Sequence, residues 1–182
     1  MVARGKRSLA PIVCALVLCV LILGVAELFS ANPASARQIV AISGEYPAGE
    51  IIISDHKRRL YFTEGNGVAI EYPIAVGMPG KAWLGESAVE GKYWAPSWSP
   101  PDVVAHDHPN LPSFIPGGSP HNPMGVAAIT LTRYQVAIHG TTRSMRRSIG
   151  SAASYGCIRM YNEDIVDLFH RVSVGTPVLA IP

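Results

Sequence analysis

Glu50-Ile51-Ile52-Ile53-Ser54, Arg59-Leu60-Tyr61-Phe62-Thr63 and Val68 to Val76 (VAIEYPIAV) fall within 27 residues, parted by two short polar breaks. β-Branched and aromatic side chains fit a pleated, half-buried surface, so each run reads as a strand. The first break, Asp55-His56-Lys57-Arg58, reads as a turn. The second, Glu64-Gly65-Asn66-Gly67, holds Asn-Gly, the pair that suits a tight hairpin because both residues tolerate positive φ. Pro73 lacks a backbone N–H, which puts the third strand at an edge or a bulge. Three strands with connections of a few residues make an antiparallel meander.

Moving toward the C-terminus, Ala88 to Trp94, Val126 to Thr132, Tyr134 to Ile138 and Val178 to Ile181 read as further strands. Ile165, Leu168, Phe169 and Val172 repeat at helical spacing behind Asn162, an N-cap candidate, with Glu163 and Asp164 suited to the first turn. Gly175 and Pro177 end that helix, and Arg143 to Gly150 reads as a short helical turn. Residues 77–123 are rich in Pro and Gly, carry Trp83, Trp94 and Trp98, and read otherwise as long loops. Such tryptophans pack over a core or line a binding groove. The fold class is therefore mainly β, a barrel or sandwich, with one helix in the C-terminal half and short helical turns.

On the N-terminal side, residues 37–45 are small and polar and read as a linker to a domain over 46–182. Before it, Arg4, Lys6 and Arg7 precede an apolar run from Leu9 to Ala26, and Ala34-Ser35-Ala36 follows. These are the three parts of a secretory signal peptide over 1–36; an uncleaved membrane anchor is the alternative. The expectation is export to the periplasm or cell envelope. The formal net charge of +2 belongs to that segment, because residues 37–182 carry twelve basic and twelve acidic residues. A near-neutral domain of this kind is not a general nucleic-acid binder. Export permits disulfides, yet Cys157 is the only cysteine after residue 36, so packing must hold the domain.

A lone cysteine in an exported chain is an inert buried residue or a reactive thiol. His139, at the end of a predicted strand and followed by Gly140, could activate it as an ion-pair partner or as a general base. Gly156 permits close backbone approach, and backbone N–H groups around Cys157 could form an oxyanion hole. No acidic residue occurs from His108 to Asn162, while Arg133, Arg143, Arg146, Arg147 and Arg159 do. Exposed Arg146 and Arg147 would be ordinary surface charges; Arg159, two residues from the thiol, is placed to hold a carboxylate. His106-Asp107-His108, with His121 or Asp102, would be needed for zinc, but no helical ligand spacing supports it, and no metal is expected. His56 and His170 read as structural or solvent-facing.

At these residues the sequence resembles the L,D-transpeptidase catalytic domain of the YkuD type. The signature is His-Gly, then 14 to 17 residues, then Ser/Thr-His-Gly-Cys with an Arg close behind. Here Ser154 lies fourteen positions after Gly140, and Gly156-Cys157-Ile158-Arg159-Met160 continues the match. Asn122-Pro123-Met124-Gly125 and the helix running from Asn162 to Gly175 also match in order. One departure is Tyr155, which stands where the signature has its second His. The resemblance implies Cys157 as nucleophile, His139 as general base and acid, and Arg159 with Ser154, Tyr155, Gly156 and Gly140 against substrate. It implies acyl transfer from the third residue of a peptidoglycan tetrapeptide stem, without cofactor, to another stem or to an envelope protein. Water as acceptor would make a carboxypeptidase. A non-catalytic wall-binding module is the competing class, and oligomeric state is not readable.

Overall fold

The computed structural model describes residues 37–182; the expected signal peptide over 1–36 lies outside the described residues. Ten strands alternate with two helices: β1 (Gln38–Ala41), β2 (Ile51–Ser54), β3 (Arg59–Gly65), β4 (Val68–Gly77), β5 (Gly85–Trp94), α1 (Asp102–Asp107), β6 (Ala127–Leu131), β7 (Ala137–His139), β8 (Ala152–Ser154), β9 (Ile158–Met160), α2 (Asn162–Arg171) and β10 (Pro177–Ile181). The order β4-β3-β2-β10-β5-β6-β7-β9 returns to β4 through a β4–β9 pairing, which closes an eight-stranded barrel. β1 and β8 pair with β4 from outside this ring. Closure leaves the ring without free edges.

Alternation along the meander sorts side chains to two sides, as a period of two requires. Ile51, Ile53, Leu60, Phe62, Ile70, Tyr72 and Ile74 join the interior core. Ile52, Tyr61 and Ala69 form a second cluster on the other face, covered by Val40, Ile42 and Tyr46. The linker expected over 37–45 is thus corrected: it holds β1, paired antiparallel with residues 68–71 of β4, because that outer face needs covering. Pro73 is buried, not at an edge. It falls where β4 changes neighbour, from β1 up to Glu71 to β9 from Ile74, so its missing N–H disturbs neither ladder.

Helix α2 lays Ile165, Leu168 and Phe169 on the barrel, with Val172 buried at its C-cap, the apolar face expected. Tyr72 reaches from the interior of β4 and donates its hydroxyl to Asp167 Oδ2 at 2.6 Å. Asn162 is not the N-cap; Tyr161 holds that position, and Asn162 Oδ1 instead accepts the Thr141 N–H at 2.9 Å. In the Pro- and Gly-rich stretch, α1 forms where the sequence reads as loop. The strand read over Tyr134 to Ile138 shortens to Ala137–His139, because residues 132–135 make the bend between β6 and β7. β8 and β9 were not anticipated. Among the described residues no helix is long and apolar enough to cross a membrane.

Candidate active site

β7 and β9 run parallel, with Ile138 opposite Ile158 and His139 opposite Arg159. Paired residues of neighbouring strands project to the same face, and residues two apart on one strand share a face. Cys157, two before Arg159, therefore joins His139 and Arg159 on one side of the barrel wall. This register brings together two residues that are 18 positions apart in sequence. All three line one cavity of about 420 Å³, whose apolar walls include Trp98, Leu111, Met124 and Val136. A second cavity of about 510 Å³ also reaches Cys157 and is lined by Glu90, Ser97, Thr130, Thr132 and Arg133. The sulfur thus sits where two recesses meet.

His139 is 4% exposed. Its Nδ1 lies 2.7 Å from the Gly140 carbonyl, which can only accept, so Nδ1 carries the hydrogen; the Pro123 carbonyl is a second acceptor at the ring. Burial, and secondly the Arg159 charge, lower its pKa to about 4. Burial pushes the Cys157 thiol up; the Ala137 N–H and the Arg159 charge pull the other way and are outweighed. The resting pair at neutral pH is a neutral thiol beside a neutral imidazole. Of the two activation modes open from sequence, burial of both groups favours a general base over a standing ion pair.

The turn that carries Cys157 is held by its own side chains. Ser154 Oγ donates to the Cys157 carbonyl at 2.6 Å and accepts the Gly156 N–H at 3.0 Å. Gly156 sits at φ 119°, where a side chain is disfavoured, and its carbonyl accepts the Trp83 indole N–H at 2.9 Å. Gly140 gives space to Asn162 Oδ1, with which a methyl group there would collide. Ser154, Gly156 and Gly140 were expected against substrate. Ser154 and Gly156 shape the turn and Gly140 makes room for Asn162; the Ser154 hydroxyl is engaged on both sides while the residue also lines the cavity, which neither glycine does. Of the backbone N–H groups expected for an oxyanion hole, that of Gly156 is already bonded.

Arg159 donates from Nη1 to the Ala153 carbonyl at 3.0 Å, and its Nε is buried without a partner. The full planar fork expected for a carboxylate is therefore not presented; one edge is tied to the backbone. Tyr155 lies on the cavity wall, its hydroxyl 3.1 Å from His108 Nε2 and its ring edge-on to the imidazole at 5.9 Å. It links the Cys157 turn to the residue that caps α1.

The remaining candidates separate. Arg146 forms a two-point pair with Glu163 at 2.7 and 2.9 Å and stacks on Tyr161. Arg133 stacks on Trp83 at 4.8 Å and lines the second cavity. His106 pairs with Asp107 at 2.9 Å, His108 faces Tyr155, and among the described residues no three His, Cys, Asp or Glu side chains gather as a metal site. Asn122, which the resemblance picks out in Asn122-Pro123-Met124-Gly125 without a role, has a buried amide that donates to the Pro96 and Pro116 carbonyls at 2.8 and 3.1 Å and laces the long loop into a cavity wall. Sequence reading missed Gln135, whose carbonyl faces the thiol at 3.8 Å through the backbone, so no residue type announces it.

A thiol, a base and a cation facing one recess define a site suited to nucleophilic acyl transfer. The family model of the YkuD L,D-transpeptidase catalytic domain matches residues 48–179, and the chain belongs to this family. It is 38% identical over 140 residues to the probable L,D-transpeptidase ErfK/SrfK of Escherichia coli K12, covering 72% of this chain and 43% of that protein. The chain therefore spans less than half the length of that relative. It is 32% identical over 165 residues, 85% of each chain, to the putative L,D-transpeptidase YkuD of Bacillus licheniformis. Among solved structures, an L,D-transpeptidase from Mycobacterium smegmatis shares the fold at a TM-score of 0.56, with 15% identity, covering 84% of this chain and 81% of that one.

Proposed function

We propose that this protein is an L,D-transpeptidase of the cell envelope that carries the acyl group of a peptidoglycan tetrapeptide stem on Cys157. The observation that carries this reading is the shared face of β7 and β9, which turns His139, Cys157 and Arg159 into one cavity. Because thiol and imidazole rest neutral, the proton moves during attack: His139 takes it as Sγ bonds to the carbonyl carbon of the third-position residue. The tetrahedral intermediate collapses, the D-Ala amine leaves with the proton from the imidazolium, and a thioester remains. An acceptor amine then attacks the thioester, His139 removes its proton, and the thiolate leaves and is reprotonated. One amide is broken and one is formed, without redox change.

Arg159 draws the donor stem by its charge. With Nη1 on Ala153 and Nε occluded, the donor carboxylate meets Nη2 in a single charge-assisted contact. The meeting of two cavities at the sulfur supports a two-substrate reaction, and Glu90 in the second favours a cationic amine as acceptor. That fits the free amine of another stem, giving a 3–3 cross-link, and equally a protein lysine. Residues 1–36 act as the export signal in this reading, and the reaction takes place in the periplasm. The test is mass spectrometry of purified disaccharide-tetrapeptide incubated with the protein. The expected product is a cross-linked dimer lacking one D-Ala, absent with Cys157→Ala. Tripeptide alone would make the protein a carboxypeptidase, and no product at all would favour a non-catalytic wall-binding module.

A further inference from the structure

We propose that Trp83 is a positioning residue: its indole N–H pins the Gly156–Cys157 peptide so that the Cys157 N–H is held ready for the oxyanion. This rests on the transpeptidase reading and deepens it. A trans peptide carries its carbonyl and its N–H on opposite sides. With the Gly156 carbonyl fixed on Trp83 Nε1 at 2.9 Å, the Cys157 N–H is turned away from the indole. That N–H meets no acceptor among the described residues, whereas the neighbouring Gly156 N–H is bonded to Ser154 Oγ. An incoming carbonyl thus finds a free donor on the nucleophile's own residue.

The pin is needed because of the glycine. A peptide flip changes ψ of residue 156 and φ of residue 157; glycine accepts either ψ at little cost, so the backbone resists the flip only at Cys157, whose φ would turn positive. Flipped, the same peptide would present a carbonyl oxygen to the developing negative charge in place of a donor. Ser154 holds the two ends of the turn, N–H of Gly156 and C=O of Cys157, but not the plane between them. Trp83 alone among the described side chains bonds that plane. Its own position is over-determined: the ring packs against the barrel core, and the Arg133 guanidinium covers it at 4.8 Å. The Met78 N–H, donating to the Ser154 carbonyl at 2.9 Å, ties the same arm of chain to the turn.

The experiment compares wild type with Trp83→Phe and with Trp83 replaced by 3-benzothienylalanine, which exchanges the N–H for sulfur and keeps the shape of the ring. Loss of one oxyanion donor costs about a hundredfold or more, and partial flipping somewhat less, so kcat should fall about tenfold or more with KM within about a factor of two. Iodoacetamide alkylation of Cys157 develops no oxyanion, and its rate should change by less than about twofold. Amide relaxation dispersion should be flat at Gly156 and Cys157 in the wild type and show exchange in the variants. If Trp83→Phe does not fold, the isosteric replacement decides. Turnover by the isostere within about twofold of wild type overturns the proposal, whatever the amides do. If the wild type itself transfers nothing, the transpeptidase reading falls; the pin is then judged by the amides, and flat dispersion in the isostere overturns it.

Discussion

Strands β2 to β4 and strands β7 to β9 belong to one barrel, yet they are held in different ways. The first three run 4, 7 and 10 residues, pair antiparallel, and bury an almost unbroken set of apolar side chains. The second three run three residues each, and β7–β9 and β4–β8 are parallel. Strands so short cannot fix their own register. They are held from outside, by β6 on one flank and β4 on the other, and by side chains bonded to backbone: Asn162 to Thr141, Ser154 to Cys157 and Arg159 to Ala153. Buried polar groups collect there, and two of their atoms, Thr141 Oγ1 and Arg159 Nε, lack a partner. Each such atom costs free energy. The comparison teaches that stability is gathered in the meander, while the short parallel strands give up part of it to hold chemistry in place.

The sharpest way to break this division is a pair of variants. Cys157→Ala should lose all turnover while its thermal midpoint stays within about 2 °C of wild type, because only a partly buried sulfur is removed. Leu60→Ala, at a fully buried meander position, should lose about 2–5 kcal/mol of stability by denaturant titration and keep its kcat in the folded fraction. A Leu60→Ala enzyme that is stable but slow would show that the two regions are not separable.

Arg159→Gln comes next in size. Removing a charge-assisted contact costs about 1.5–3 kcal/mol, hence about ten- to a hundredfold in kcat/KM. The same charge lowers the thiol and the imidazole pKa, so alkylation should need higher pH than in wild type and the acid limb of kcat/KM should move up. A shift of neither would confine Arg159 to a structural bond.

The wild-type acid limb itself should lie near pH 4, where buried His139 is protonated, and not near 6.5. For stability the sign follows from the lowered pKa. The unfolded chain binds the proton first, so the His139 contribution is complete above about 6.5 and is lost as pH falls toward 4, about 3 kcal/mol in all. Asp164 opposes it: burial raises its carboxyl to about 6, so the native state binds that proton more tightly and loses stability as pH rises through about 4 to 6. The smallest effect sharpens the comparison most. Asp164→Asn should add about 1 kcal/mol at pH 7 and expose the His139 dependence that the wild type partly cancels. Chemical denaturation at pH 4.5 and pH 7 reads both.

The meander was legible because packing alone dictates it. Alternating apolar residues and an Asn-Gly turn specify two faces and a register, and Asn66-Gly67 does close the hairpin. The face of α2 was legible for the same reason. The short strands were not: Ala152-Ala153-Ser154 and Ile158-Arg159-Met160 have no period long enough to read. Cys157, His139 and Arg159 could be picked out as reactive types, and the parallel register that gathers them could not. Ser154, Gly156 and Gly140 sit beside the reactive groups in sequence, and only coordinates reveal the backbone and side-chain contacts they make.

β10 enters the ring between β2, to which it is parallel, and β5, to which it is antiparallel, and it sets Leu179 opposite Ile52. The ribosome makes these partners 127 residues apart, at opposite ends of the described chain. Until residues 177–181 emerge, the Ile51–Ser54 edge has no second neighbour and the ring stays open. Long-range pairing of this kind slows folding. The barrel therefore cannot shut early, and it locks only when its last strand has arrived.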